Sequence, residues 1–155
     1  MDIHHAMVIH TQPHRVFAAL TQPAHLATWM DAPTITYHEA DALLELHYDQ
    51  GQRSLKLFVS DRQDTGRVQW RVVQPIWPPQ PEEQCMTWTF QPFHGSTLVD
   101  MRLDGWLQDD DIYASVSYKL ASFMVRLKLY LGDMRELHTL LERGQVRTMD
   151  LNTSE

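Results

Sequence analysis

A chain of 155 residues with 43% hydrophobic residues is the size of one globular domain, large enough to bury a core without staples. Its formal charge of −7 weighs against nucleic acid, which needs a basic surface, and against anionic membranes. No run approaches the ~20 apolar residues of a membrane span. Cys85 is the single cysteine, and the N-terminus MDIHHAMVIH lacks a basic segment followed by an apolar one, so a cytoplasmic protein without disulfides is expected.

Residues 3 to 11 alternate and predict a strand, with Ile3, His5, Met7 and Ile9 on one face and His4, Ala6, Val8 and His10 on the other. Thr11-Gln12-Pro13 opens a short helix, since proline at the first turn forgoes an N–H that would be unpaired anyway. Thr21-Gln22-Pro23 repeats the device. Val16, Phe17 and Leu20 form the apolar side of the first helix, and Leu26, Trp29 and Met30 that of the second. From residue 34 the period becomes two, predicting strands over 34–39, 43–48, 55–59, 68–72, 86–90 and 98–106. The last three alternate cleanly, as in an antiparallel sheet with one wet face.

Between the strands, Pro75 to Pro81 carries two overlapping P-x-x-P patterns. It reads as a stiff connection rather than a ligand for another domain. From Ile112 to Arg143, apolar residues fall at Val116, Leu120, Phe123, Met124, Leu127, Leu131, Met134, Leu137 and Leu141, one stripe of a long helix. The other faces carry Lys119, Arg126, Lys128, Arg135 and Glu136. Asp109 to Asp111 suit its positive end, and Gly132 marks a bend or a close approach. A sheet covered by one long helix is an α+β layer arrangement, and a space between the two is where such a protein acts. The expected unit is residues 1–149, with a frayed tail at 150–155.

Four stretches carry a family resemblance. They are Pro13-His14-Arg15-Val16-Phe17, Leu20-Thr21-Gln22-Pro23 through Leu26 and Trp29, Gly95-Ser96-Thr97-Leu98-Val99 with Gly105, and Leu137 to Gly144. With the element order, they resemble the START-like (SRPBCC) superfamily, and within it the bacterial relatives of the activator of the heat-shock-protein-90 ATPase. The resemblance implies a helix-grip fold: a curved antiparallel sheet of six or seven strands, two short helices and a long C-terminal helix. It implies three roles. One is a domain holding an apolar or aromatic small molecule, lipid or polyketide-like, without catalysis and in a stress or chaperone-related setting. The second is a cyclase or aromatase on a similar substrate. The third is an interaction module acting on a heat-shock ATPase. A homodimer is plausible on an exposed sheet edge. Two positions depart from the family: His10 replaces an aliphatic residue, and Leu103 stands where many relatives carry histidine.

Nine histidines invite a metal, but no His-Glu-x-x-His spacing occurs and no cofactor is expected. Cys85 lacks an activating partner in sequence, and Glu45, Asp100 and Arg102 read as solvated outer faces. The expected ligand-binding residues are Tyr48, Trp70, Met86, Trp88, Phe90, Met101, Phe123, Met124, Leu127 and His10. Methionine and aromatic side chains adapt to irregular apolar ligands. Arg71, Arg102 and Tyr118 join Tyr48 and His10 as candidate polar anchors, with Ile76 and Trp77 over the cavity mouth.

Overall fold

The computed structural model describes residues 1–32 and 34–132. Strand β1 (Ile3–Ile9) leads into helices α1 (Pro13–Thr21) and α2 (Pro23–Trp29). A meander follows, of β2 (Thr34–His38), β3 (Leu43–Tyr48), β4 (Arg53–Gln63), β5 (Arg67–Gln74), β6 (Gln84–Phe93) and β7 (Ser96–Leu103). Helix α3 (Asp111–Leu131) closes the described chain. Each short helix has proline at its first turn, as the sequence predicts.

All seven strands pair antiparallel in the order β1-β7-β6-β5-β4-β3-β2. The first strand is therefore laid against the last, with Ile3 opposite Leu103 and Ile9 opposite Thr97. Helices α1 and α2 carry the chain from that edge to the other. The result is a curved sheet with helices on one face, the helix-grip arrangement.

Period-two alternation sorts the faces. Leu44 and Leu46, Leu55 and Leu57, Val68 and Trp70, Met86 and Trp88, and Val99 and Met101 point inward and are buried. Val116, Leu120, Phe123, Met124, Leu127 and Leu131 complete the core from α3, as their spacing requires. Met134, Leu137 and Leu141, the rest of the predicted stripe, lie outside the described residues. Gly132 caps the described helix, its N–H bonded to Lys128 O at 2.8 Å.

The N-terminal segment stitches α3 to the sheet. His5 Nε2 donates to Ser117 O at 3.0 Å, and Tyr113 Oη donates to Asp2 O at 2.7 Å. Asp110 caps α3 by accepting the Tyr113 N–H at 2.9 Å. That bond first, and one from the Gln108 side chain second, hold its carboxyl below the usual carboxylate range.

Candidate functional site: a filled interior and an open end

The expected ligand residues are brought together, but as a packed core. Trp29, Trp70 and Trp88 form a cluster with ring centroids 5.3 to 6.5 Å apart. Trp29 Nε1 donates to Ala19 O at 2.8 Å and Trp70 Nε1 to Leu20 O at 3.2 Å, tying the sheet to α1. Trp88 Nε1 has no oxygen partner. Its ring stands edge-on to its two neighbours, a setting for weak N–H to π contacts.

Exposure decides whether these residues surround a void. A cavity that holds a molecule, sealed or open, presents its walls to a water-sized sphere. Trp70 and Leu127 are 0% exposed, Met101 and Met124 1%, Met86 and Trp88 2%, Phe90 3% and Phe123 7%. These eight side chains present almost no such surface. The tryptophan rings that were expected to line a cavity lie buried against one another.

The expected polar anchors do not converge. His10 follows buried Ile9, so alternation turns it outward, where it is exposed with Nδ1 2.9 Å from Ser96 Oγ. Arg71 lies on the outer face above the Phe58 ring and pairs with Glu83 at 3.1 Å. Arg102 sits on the same face near Asp100, and Tyr118 is 73% exposed. Tyr48 is half-buried, and its hydroxyl donates to Met30 O at 3.2 Å. Burial first and Asp31 second push that hydroxyl above the ordinary tyrosine range.

Arg126 corrects the helical pattern. Its spacing places it with the charged faces, yet it is buried, donating from Nε to Trp29 O at 2.8 Å and lying 3.4 Å from Asp31 Oδ1. Arg126 and Tyr48 thus satisfy carbonyls left open at the end of α2. A guanidinium also suits the negative end of a helix.

Among the described residues, open space lies in several surface grooves, one of about 510 Å³ beside Pro75 and Glu83, one of about 450 Å³ beside Gly66 and Thr89, and a third at the start of α3. The third, of about 350 Å³, runs between Ile76-Trp77-Pro78 and the first turns of α3, lined there by Asp111, Ile112, Ser115, Val116 and Lys119 and flanked by Arg53. That volume falls at the lower end of small-molecule sites. Its loop wall is held firmly. Trp77 Nε1 donates to Gln84 Oε1 at 2.9 Å, and Gln84 Nε2 to Asp104 O at 3.1 Å. Gly105 (φ 82°) permits this: a Cβ there would stand 2.8 Å from Gln84 Cγ and 2.9 Å from Glu83 O.

Ile76 and Trp77, expected over the mouth of a cavity between sheet and helix, border this separate groove instead. Arg53, Ser115 and Lys119 were missed, because nothing in their spacing links a strand start to a helix face. The groove offers an apolar floor and a rim of mixed charge, with Asp111 beside Lys119 and Arg53 already paired with Asp49. Cys85 lies elsewhere, on the outer face. Burial first, then Asp104 and Glu83, push its thiol up, which suits a packed residue rather than a nucleophile.

Comparison with known proteins now places the fold. Residues 10–132 match the family model described as Activator of Hsp90 ATPase homolog 1-like protein. The chain belongs to that family. No curated protein matches it. Among solved structures, the Aha1 dimer from Colwellia psychrerythraea superposes with a TM-score of 0.73 at 19% identity, covering 84% of this chain and 96% of that one. A crystal structure of a Mesorhizobium loti protein gives 0.70 at 18%, with 84% and 96% covered. DynU16, from the dynemicin biosynthetic locus, gives 0.64 at 18%, covering 84% of this chain and 46% of that one. At such identities these likenesses establish the fold alone. Among the described residues no helix is long and apolar enough to cross a membrane.

Proposed function

We propose that this member of the Activator of Hsp90 ATPase homolog 1-like family is a cytoplasmic, non-catalytic small-molecule-binding domain. It takes an apolar or aromatic molecule at the open end of the fold. The observation that carries this is the groove itself, with its apolar floor of Ile76, Trp77, Ile112 and Val116. The dense tryptophan core directs the ligand away from the space between sheet and helix. Cyclase or aromatase chemistry in the same groove is the alternative. It is less favoured, because the carboxylate there, Asp111, is exposed on the first turn of α3.

The test uses anilinonaphthalene sulfonate, an anionic aromatic probe, titrated against folded protein by fluorescence and calorimetry. One saturable site is expected in the wild type and none in Ser115→Trp, which fills the groove from an exposed position. Undiminished binding in that variant refutes the placement.

A protein partner is the second reading, favoured by Tyr118 and Val125, 73% and 46% exposed and seven residues apart on the outer side of α3. The partner is a second copy or a heat-shock ATPase. Light scattering and ATPase turnover with Tyr118→Ser/Val125→Ser test it; a wild-type monomer that leaves turnover unchanged excludes it.

A further inference from the structure

The two edges of the sheet are finished differently. Strands β1 and β2 stand at its ends, each with a single pairing partner. At the first edge, His5 of β1 is bonded to Ser117 O, and Tyr113 Oη donates to Asp2 O just before the strand, so α3 holds that margin. At the second edge, β2 pairs with β3 from Thr34 opposite His47 to His38 opposite Leu43, with no bulge. Among the described residues, no hydrogen bond from any other element reaches the backbone of residues 34–38. Alternate N–H and C=O groups along β2 therefore point outward, open to another strand.

An edge of this kind is normally blunted by a proline, a lysine, an inward-pointing charge or a bulge. The sequence TITYH of β2 has no proline, no lysine and no carboxylate. It is also self-complementary. Antiparallel pairing of two copies about Thr36 sets Ile35 opposite Tyr37 of the partner subunit, twice, and Thr36 opposite Thr36 of the partner subunit. Ile35 and Tyr37 share the inner face, where both are half-buried against the core. A β-branched residue facing an aromatic ring, and threonine facing threonine, are favoured cross-strand pairs. No like charges face each other in this register, since position 38 falls opposite position 34.

We propose that β2 is a homodimerisation edge, at which two copies of the chain meet antiparallel about a two-fold axis at Thr36. Their seven-stranded sheets then join into one. The surface is separate from the groove and from Tyr118 and Val125 on α3, so variants tell them apart. A five-residue strand is a small contact beside the roughly 1,200–2,000 Å² of a stable interface. The dimer is accordingly reversible and grows with concentration.

The experiment is oxidative cross-linking of the full-length protein in a Cys85→Ser background, with one cysteine added at a time. Thr36→Cys sets two thiols opposite each other, their Cβ atoms about 4.5–5.5 Å apart. In His38→Cys the thiols stand four residues apart in register, about 13 Å along the strand. Ala6→Cys reports the other edge, from an exposed position midway along β1. Thr36→Cys should form the disulfide-linked dimer about tenfold faster than either, and as fast when Tyr118→Ser/Val125→Ser is added. In sedimentation velocity, Thr36→Lys sets like charges at the axis and should abolish the concentration-dependent dimer of the wild type. Circular dichroism confirms that each variant folds. The proposal is overturned by equal rates in Thr36→Cys and His38→Cys, by faster cross-linking through Ala6→Cys, or by loss of the cross-link with the α3 variant. A wild-type monomer up to millimolar concentration overturns it as well.

Discussion

The centre of the sheet and its open end are built from similar residues to opposite effect. At the centre, Trp29, Trp70 and Trp88 meet ring against ring, and the strands beside them supply Met86 and Met101. At the open end, Trp77 and Ile76 are just as apolar but have a loop behind them and helix α3 opposite, with a gap between. The difference lies in what faces each ring. A ring with strand on one side and helix on the other is enclosed, whereas Trp77, though only 7% exposed, lies on a loop that borders a groove. Aromatic content alone therefore does not mark a cavity.

The largest test of the filled centre is Leu127→Asp, which buries an unpaired charge at a 0% exposed position. No cooperative thermal transition is expected, and a folded, soluble variant would contradict the packing. Trp88→Ala should cost about 3–5 kcal/mol in urea titration. It also creates the void that the wild type lacks, so indole should raise the melting temperature of the variant alone. Stabilisation of both proteins by indole would mean that the centre is not filled.

Arg126→Met removes the donor from Trp29 O and should cost about 1–3 kcal/mol, because a buried carbonyl loses a partner. A loss near zero would return Arg126 to the solvated face that its spacing suggests. At the open end the effects shift from stability to binding. Ser115→Trp should move stability by no more than about 0.5 kcal/mol while abolishing probe binding.

The smallest effect concerns Asp110. Its folded pKa lies below its unfolded value, so its contribution is present above the unfolded value, near the ordinary carboxylate range, and is lost as pH falls through the folded value. The stability gap between wild type and Asp110→Ala should be measurable at pH 6 and close at low pH. A gap that widens on acidification would reverse the sign.

Most of the architecture was legible in the sequence. Alternation at Leu44-Leu46 and Met86-Trp88 fixes which face is wet, and the prolines at 13 and 23 mark where the short helices start. The site was less legible, for three physical reasons. Helical spacing counts Arg126 as outward because it cannot show that α2 ends beneath it with open carbonyls. A strand pattern shows that Trp70 and Trp88 face inward but not whether they meet. Nor can it show which strand ends up outermost: residues 34–38 become an edge only because β2 pairs with β3 alone.

The pairing of Ile3 with Leu103 also bears on how the molecule is made. During synthesis β1 emerges first, yet its partner strand is the last of the seven to leave the ribosome. Until then β1 is a tethered, unpaired ribbon with Ile3 and Ile9 uncovered. A nascent chain halted after β6 holds a sheet with an open edge at β6 and a free strand searching for one. Such intermediates are sites of mispairing between neighbouring chains. Release of residues 96–103 thus gives β1 its partner, and helix α3 must still follow to cover the apolar face.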